Sequence, residues 1–274
     1  MSLLDGIDAV VFDVDGTLLH SHDPGGVRGA EPIAGAVEAV GRVRAAGRRV
    51  LFFTNGTGRP PARYAADLRA VGLELADDEF MNPAVVAARW ITRRHPGKSV
   101  LVLGGPGVVA PLHDLGIETV AGPADVVLVG WDDALTYAQL RAACESVWAG
   151  APLLATSTAP VFSVSGGPAP GWSGAVVAGI RQTTGAKAIT LGKPSPAALR
   201  EMCRALGTTP RRTLVVGDDL GLEIVMAHRA GARTALVLTG ISALADVDRL
   251  PAARRPDTVA ASVAELPFMQ EGRA

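Results

Sequence analysis

Short runs of apolar residues alternate along the chain with longer stretches in which apolar positions recur at helical spacing. The apolar runs are continuous, which is typical of strands buried on both faces of a parallel sheet. The predicted strands are Ala9–Phe12, Arg49–Thr54, Val100–Leu103, Val126–Gly130, Leu153–Thr156, Ile189–Leu191, Thr213–Gly217 and Thr234–Thr239. The predicted helices are Ile33–Ala46, Pro61–Val71, Ala84–Arg94, Tyr137–Ala149, Pro196–Leu206 and Glu223–Ala230.

Several predicted helices are followed directly by a glycine, the residue that most readily takes the left-handed backbone conformation at a helix end. These glycines are Gly47, Gly72, Gly207 and Gly231. Strands that alternate with helices in this way favour an α/β fold on a mainly parallel sheet. We therefore expect an α/β protein.

Two polar or glycine-containing seams divide the chain, which at 274 residues is longer than one hydrophobic core usually allows. The first seam lies at residues 76–83 and the second at residues 185–187. The strands and helices between them form a set large enough to bury a core of its own. We therefore predict a core domain of residues 1–81 and 185–274, interrupted by an inserted domain of residues 82–184.

Composition excludes several classes of protein. Hydrophobic residues make up 48% of the chain and charged residues 19%, which is too apolar for a disordered protein. The 26 basic residues nearly balance the 27 acidic ones, so we expect neither nucleic acid nor a membrane as partner. No apolar run approaches the roughly 20 residues that a membrane helix needs.

Cysteine content and the N-terminal residues indicate a compartment. Cys144 and Cys203 are too few for a disulfide framework and lack metal-site spacing. The N-terminal residues have no basic start and include Asp5 and Asp8, unlike a secretory signal. We therefore expect a cytoplasmic protein.

The first predicted strand ends in two acidic residues. Residues i and i+2 of an extended chain share a face, so Asp13 and Asp15 are expected to point into the same space, and Gly16 permits the following turn. Carboxylates this close repel unless a cation or a shared proton offsets their charge. Hard oxygen ligands suit Mg²⁺, so the pair favours a Mg²⁺ site with a nucleophile and an acid/base over a solvated turn.

Two further turns offer groups that bind phosphate. Thr54, Asn55 and Gly56 supply a hydroxyl, an amide and backbone N–H groups after the second strand. Lys193 lies in a turn stiffened by two prolines, which would hold its ammonium near the sheet edge. Taken alone, the first turn is better explained by an ordinary Asn-Gly turn with a helix cap, and the second is explained equally well by a capping-loop lysine.

Another apolar strand, Thr213–Gly217, also ends in acidic residues. Asp218 offers oxygen ligands suited to Mg²⁺, and one turn of chain could bring Glu223 back to the same place. Asp219 fits better as a supporting or solvent-facing group. Together with the preceding motifs, this strand end completes the set of groups that phosphoryl transfer requires.

The four motifs follow one another as Asp13-Val14-Asp15-Gly16-Thr17, Thr54-Asn55, Gly192-Lys193-Pro194-Ser195-Pro196 and Gly217-Asp218-Asp219. This order resembles the haloacid dehalogenase (HAD) superfamily of phosphatases. The insertion between the second and third motifs resembles the NagD-like or 4-nitrophenylphosphatase branch, subfamily IIA, which carries a C2-type cap there. The resemblance covers nearly the whole chain and implies a Rossmann-like parallel-sheet core with an inserted α/β cap domain. We call residues 82–184 the cap.

The resemblance implies roles for the acidic residues. Asp13 would attack phosphorus and form an aspartyl phosphate, while Asp15 would protonate the leaving oxygen and then activate water. Mg²⁺ would be held by Asp13, by the backbone carbonyl of Asp15 and by Asp218. The implied enzyme is a Mg²⁺-dependent phosphoric monoester hydrolase.

The resemblance also implies a binding site for the substrate. Thr54, Asn55 and the backbone of Gly56 would grip the phosphoryl oxygens, and Lys193 would neutralise their charge. The substrate would be a small phosphate monoester, such as a sugar phosphate, glycerol phosphate, phosphoglycolate, a nucleotide or an aryl phosphate. A homodimer formed through the cap stays open.

Two departures limit what the resemblance carries over. The family often has a second Asp where this chain has Glu223, whose longer side chain could support the metal through water. The branch commonly has Thr-Asn-Pro-Asp in a cap loop where this chain has residues 155–160. Substrate specificity therefore does not carry over. Trp131 and Trp172 flank loops of the insertion, and one of them is a candidate to touch the leaving group.

Three alternative functions are weighed. Residues 105–110 fit G-x-G-x-x-A, but Pro106 and Pro111 bracket the turn and the next apolar run lacks a ribose-binding acid, so a dinucleotide site is disfavoured. A sugar-phosphate-binding protein without turnover would not need Asp15 as acid/base. A phosphotransferase that uses the same core stays open.

Overall fold

The computed structural model describes residues 2–20, 31–132, 134–164 and 167–268. Its strands are β1 (Ala9–Asp13), β2 (Leu19–His20), β3 (Glu31–Pro32), β4 (Arg49–Phe53), β5 (Phe80–Met81), β6 (Val100–Leu103), β7 (Thr119–Val120), β8 (Val126–Val129), β9 (Leu153–Ala155), β10 (Val161–Val164), β11 (Gly167–Pro170), β12 (Ala188–Thr190), β13 (Thr213–Gly217), β14 (Arg233–Val237) and β15 (Thr258–Ala260). Its α-helices are α1 (Ala36–Ala45), α2 (Pro61–Ala70), α3 (Pro83–Arg94), α4 (Pro106–Asp114), α5 (Tyr137–Trp148), α6 (Trp172–Thr184), α7 (Pro196–Ala205), α8 (Val225–Ala230) and α9 (Leu244–Asp248).

Two parallel sheets organise the molecule. One has six strands in the order β15-β14-β13-β1-β4-β5, and the other has five in the order β12-β9-β8-β6-β7. Neighbouring strands are parallel throughout both sheets. This architecture confirms the predicted α/β class. In such a sheet every strand ends at the same edge, where ligands bind.

The sheets and helices stack in five layers. Helices α1 and α2 cover the face of the six-stranded sheet that carries Val10 and Phe12. Helices α5 and α6 cover the face of the five-stranded sheet that carries Leu101 and Val127. Between the two sheets, α3, α4, α7 and α8 pack in one hydrophobic cluster that includes side chains of both, for example Val11 and Leu128.

The local sequence explains where the helices end. Gly47, Gly72, Gly207 and Gly231 all have positive φ, between 61° and 92°, as predicted for helix-terminating glycines. The predicted helix Glu223–Ala230 is in part a π-helical turn, Leu220–Ile224, followed by α8. Within the described ranges, no helix is both long and apolar enough to cross a bilayer.

Helices α4 and α6 are not predicted by the sequence pattern. Pro106 stands at the start of α4, where its missing N–H needs no partner, so the proline opens the helix. Helix α6 contains glycine and β-branched residues with low helix propensity, but it buries Val177 and Ile180 against the five-stranded sheet. Burial therefore outweighs propensity in α6.

The predicted end of the inserted segment, at residue 184, falls before the last strand of the five-stranded sheet. Strand β12 pairs with β9 in the five-stranded sheet, although the predicted division assigns residues 188–190 to the core. We therefore propose that the inserted unit runs through Thr190. The division into core and cap stays a prediction in its other respects.

Candidate active site

Side chains from several strand ends meet at one place between the sheets. Asp13 is the last residue of β1, Asp218 follows β13, and Thr54 follows β4, all in the six-stranded sheet. Lys193 comes from the other side, in the turn between β12 of the five-stranded sheet and α7. The predicted site residues are thus brought together by two sheets.

The centre of this place is a buried cluster of charges. The Lys193 Nζ contacts an oxygen of Asp13 and lies 2.6 Å from Oε1 of Glu223. Asp13, Asp218 and Glu223 offer carboxylate oxygens within 4.8 Å of one another. These four side chains are between 1% and 5% exposed. Three carboxylates therefore share one lysine in a region from which water is largely excluded.

The crowding shifts the protonation of these groups. Burial raises the pKa of Asp218 to about 8, and the charges of Asp13 and Glu223 add to the effect. Burial also raises the pKa of Glu223 to about 7, against the attraction of Lys193. Burial alone would lower the pKa of Lys193, but the negative charges of Asp13 and Glu223 outweigh it and raise that pKa. The cluster therefore favours an additional positive charge.

Two glycines leave just enough room for the Asp218 carboxylate. Gly16 has φ +79°, and a Cβ there would lie 2.6 Å from Oδ2 of Asp218. A Cβ on Gly240 would overlap the same oxygen. The backbone N–H of Ile241 donates to Oδ2 at 2.8 Å. The sequence pattern identifies Gly16 but not residues 240–241, whose contribution depends on a distant loop.

The first motif also supplies a hydroxyl that joins two acids. Thr17 Oγ1 donates to Asp13 at 3.3 Å and lies 3.5 Å from Asp218 Oδ1. Thr17 is fully buried. The prediction of site residues omits Thr17, although it stands inside the motif. Its position directly after Gly16 in the first motif is the signal that the sequence offers.

Asp15 lies apart from the buried cluster and is partly exposed. Thr54 Oγ1 donates to Asp15 Oδ2 at 3.0 Å and accepts the N–H of Gly56 at 3.2 Å. The side chain of Asp15 is not part of the three-carboxylate group; Glu223 takes that place. A carboxylate oriented by a hydroxyl suits proton transfer.

The side chain of Asn55 is engaged with the turn that carries Lys193. Its Oδ1 accepts the backbone N–H of Lys193 at 2.9 Å, and its Nδ2 donates to the carbonyl of Lys193 at 3.2 Å. Gly192 packs against Asn55, since a Cβ on Gly192 would lie 2.8 Å from Oδ1 of Asn55. In this arrangement the Asn55 amide holds the lysine, and its backbone N–H is what it can offer a phosphate.

Asp219 and Glu223 have different partners. Asp219 Oδ1 accepts the N–H of Gly221 at 2.6 Å, so its side chain caps the π-helical turn. Glu223 Oε2 accepts the N–H of Asp219 at 3.0 Å, while its other oxygen faces Lys193. Glu223 therefore belongs to the buried cluster, and Asp219 shapes the turn that places it there.

The G-x-G-x-x-A sequence has a packing role. Gly107 lies in the first turn of α4, where a Cβ would overlap the carbonyl oxygen of Thr57 and lie 2.6 Å from that of Arg59. The glycine lets the cap approach the loop after β4 closely. Pro106 and Pro111 both lie within α4, and the close approach gives Gly107 a reason other than pyrophosphate binding.

An aromatic pair of the cap lies beside the same loop. Trp131 follows β8 and forms an edge-to-face contact with Phe162 at 5.4 Å between ring centroids. Its Cδ1 lies 3.8 Å from where a Cβ on Gly58 would stand. Trp172, the other candidate, is the first residue of α6. Of the two candidates, Trp131 thus lies beside the loop after β4.

Comparison with known proteins agrees with this geometry. Residues 10–118 match the haloacid dehalogenase-like hydrolase family, and residues 190–266 match the HAD-hydrolase-like family. Human chronophin (Homo sapiens) is 32% identical over 273 residues, covering 94% of this chain and 90% of that protein. Ribonucleotide monophosphatase NagD of Escherichia coli strain K12 is 29% identical over 260 residues, covering 95% of this chain and 98% of that protein.

Solved structures share the whole architecture. The structure of NagD from Escherichia coli K-12 has a TM-score of 0.83 at 28% identity, and the match covers 96% of this chain and 99% of that one. A glycerol phosphate phosphatase from Mycobacterium tuberculosis, solved in complex with magnesium, has a TM-score of 0.82 at 28% identity. That match covers 97% of this chain and 78% of the other. The likeness to NagD confirms the predicted branch.

Proposed function

The chain belongs to the haloacid dehalogenase-like hydrolases and is a phosphate monoester hydrolase, and on this premise we propose that it passes the phosphoryl group first to Asp13 and then to water. The observation that carries the proposal is the buried contact between Asp13 and Lys193, beside two further carboxylates. The proposal extends to a requirement for Mg²⁺ and to small monoesters as substrates.

Asp13 is the proposed nucleophile. One of its oxygens contacts Lys193 and the other accepts from Thr17, so the carboxylate is held in one orientation at the end of β1. One carboxylate oxygen forms a bond to phosphorus as the ester P–O bond breaks, which leaves an aspartyl phosphate. The ammonium of Lys193 stabilises charge that develops on the phosphoryl oxygens.

Asp15 is the proposed acid and base. In the first half of the reaction its carboxylic acid gives a proton to the leaving oxygen. In the second half its carboxylate takes a proton from water as the water oxygen bonds to phosphorus and the bond to Asp13 breaks. The hydroxyl of Thr54 keeps the Asp15 side chain oriented throughout, which supports both roles.

The residues at the site fit a divalent cation. Asp13, Asp218 and Glu223 give a set of buried hard oxygen ligands, and among the described residues Lys193 is the one cation paired with them. Asp13 and Asp218 would hold Mg²⁺ together with the backbone carbonyl of Asp15. When bound, Mg²⁺ would neutralise the crowded carboxylates and polarise a phosphoryl oxygen.

The leaving group would lie toward the cap. Trp131 and Phe162 form an apolar wall next to residues 57–59, which follow the proposed phosphate-binding turn. A wall of this kind suits a small or moderately apolar leaving group. A panel of glycerol phosphate, sugar phosphates, phosphoglycolate, nucleoside monophosphates and p-nitrophenyl phosphate, ranked by kcat/KM, identifies the preferred class.

The metal requirement is tested with p-nitrophenyl phosphate. Activity should be lost in excess chelator and restored by Mg²⁺ added beyond the chelator. In Asp15→Asn, which slows the second half of the reaction, intact mass spectrometry should detect a protein heavier by one phosphoryl group. Full activity in chelator, or a phosphoryl group mapped to any residue other than Asp13, contradicts the proposal.

The cellular location and the oligomeric state of the protein stay predictions. We propose a cytoplasmic location and leave the homodimer through the cap to a direct measurement of mass in solution. Light scattering at several concentrations gives that mass, and a monomer at all of them rules the dimer out.

A further inference from the structure

Asn82 is a fully buried polar residue that the proposed mechanism does not use. It stands between β5, at the edge of the six-stranded sheet, and α3, which packs in the layer between the sheets. Its Oδ1 accepts the N–H groups of Ala84 and Val85, each at 3.1 Å. This half of the amide is an ordinary helix N-cap.

The other half of the amide points to the loop after β4. Asn82 Nδ2 donates to the carbonyl oxygen of Gly56 at 3.0 Å. A buried amide whose donor and acceptor both have partners holds those partners in a fixed relative position. Asn82 therefore joins the start of α3 to the proposed phosphate-binding turn.

From Gly56 the hydrogen bonds continue to the proposed acid and base. The N–H of Gly56 donates to Thr54 Oγ1 at 3.2 Å, and that hydroxyl donates to Asp15 Oδ2 at 3.0 Å. Both peptide groups that flank the Gly56 Cα are thus held, one by Asn82 and one by Thr54. Asn82 and Asp15 are joined by this series of bonds.

The ring of Tyr64 closes the remaining side of the turn. A Cβ on Gly56 would lie 2.8 Å from the Tyr64 hydroxyl oxygen. The ring is fully buried and stacks on Phe80 at 5.6 Å between centroids. Because Tyr64 prevents Gly56 from moving toward α2, the tie from Asn82 determines how the turn sits against α3.

We propose that Asn82 is a positioning residue for Asp15, acting through Gly56 and Thr54. The inference rests on the proposed role of Asp15 as acid and base. An acid must be well placed only when the leaving oxygen needs a proton, so the effect of losing Asn82 should depend on the leaving group. Loss of a residue that only supports the fold would lower kcat/KM by the same factor for all substrates.

The central variant is Asn82→Ser, which keeps a good N-cap but is too short to reach Gly56. Asn82→Ala removes both the helix N-cap and the hydrogen bond to Gly56. Thr136→Ala is the matched control, because Thr136 caps α5 through the N–H of Gln139 and has an exposed side chain. Comparing the three separates the loss of a helix cap from the loss of the bond to Gly56.

The activity measurement uses kcat/KM, which reports the transfer to Asp13, for p-nitrophenyl phosphate and for glycerol phosphate. Asn82→Ser should lose about 10- to 100-fold on the alkyl ester, which needs protonation, and about 3-fold or less on the aryl ester. Thr136→Ala should leave the ratio of the two unchanged. An Asn82→Ser enzyme that loses the same factor on both esters overturns the proposal.

A second measurement does not depend on activity. Amide hydrogen exchange read by mass spectrometry should be faster in peptides that cover residues 54–58 of Asn82→Ser, and unchanged there in Thr136→Ala. Unchanged exchange in Asn82→Ser overturns the tie even if activity falls. If the unmodified protein hydrolyses neither ester, the proposed function fails, while the exchange result still decides whether Asn82 holds the turn.

Discussion

Strand β1 has an aspartate at each end, and the two lie in opposite surroundings. Asp8 precedes the strand and pairs with the exposed side chain of Arg212, with both N···O distances at 2.5 Å. Asp13 ends the strand in the buried cluster, where three carboxylates share Lys193. The hydrogen bonds from Arg212 lower the pKa of Asp8 to about 2, whereas burial raises the pKa of Asp218, near Asp13, to about 8.

We call the side of the sheet at which its strands begin the amino edge, and the side at which they end the carboxyl edge. The two aspartates show that these edges differ in how their charges are balanced. At the amino edge each charge has its own partner and water screens both, so the pair neither costs nor contributes much stability. At the carboxyl edge the buried charges are in excess negative, which opposes folding until a cation or a proton offsets them. Stability is given up at the proposed active site.

The largest effect should come from exchanging the two aspartates for asparagine in turn. Asp13→Asn is expected to lower kcat by at least ~10³-fold, because an amide of the same volume cannot attack phosphorus. Asp8→Asn, at the other end of the same strand, should leave kcat within about 2-fold, since surface changes of this kind rarely exceed small effects. Steady-state kinetics with p-nitrophenyl phosphate gives both. Comparable losses in the two variants would remove the distinction between the edges.

The comparison extends to the second sheet through its tryptophans. Trp131 follows the carboxyl end of β8 and is 37% exposed, while Trp148 ends α5 and is 62% exposed. Trp131→Leu should reduce kcat/KM for an aryl phosphate by about 10-fold, mostly through KM, because it removes an apolar wall of the leaving-group side. Trp148→Leu should change it by less than about 2-fold. Equal effects would mean that Trp131 is an ordinary surface residue.

A third prediction concerns stability and has the opposite sign to the first two. In excess chelator, Asp218→Asn should raise the unfolding midpoint by roughly 2–4 °C for each kcal/mol of repulsion removed. The pKa of Asp218 is higher in the folded state, so the folded state binds a proton that the unfolded state has released. The amount by which the Asp218 carboxyl lowers the free energy of unfolding therefore grows as pH rises from 3.8 to about 8. Calorimetry at both ends of this range should show the larger gain at high pH, and a loss of stability there would contradict the crowding.

The smallest effect should be that of the exposed pair. The pKa of Asp8 is lower in the folded state, so its contribution is present above pH 3.8 and is lost as pH falls toward about 2. Arg212→Ala should shift the unfolding midpoint by at most about 2 °C at neutral pH. The shift should shrink further in acid. A shift of many degrees would show that the amino edge carries more of the stability than solvent-screened charges allow.

The fold is predictable from the sequence where strands are long and helices end in glycine. Strands β1, β4 and β13 are continuous apolar runs, so their pattern is sufficient. Strands β3 and β5 are each two residues long and depend on pairing with β2 and β4. Such short strands carry no periodicity of their own, so they become visible only in the folded chain.

The candidate site divides in the same way. Asp13 and Asp218 are predictable because each directly ends an apolar strand. The engagement of the Asn55 side chain with Lys193 joins residues 138 positions apart, and nothing near either residue announces it. The sequence pattern places Asn82 only in a seam, because its bond to Gly56 depends on how β5 and β4 lie side by side.

The layer between the sheets has a consequence for how the protein unfolds. Helix α3 and its neighbours bury apolar side chains of both sheets in one cluster, so neither sheet keeps a complete core once this layer is lost. The cap and the core should therefore melt together in a single cooperative transition, with calorimetric and van't Hoff enthalpies in agreement. A chain that alternates between open and closed forms would then have to do so by adjusting loops such as residues 56–59, while the layer of helices shared by both sheets stays packed.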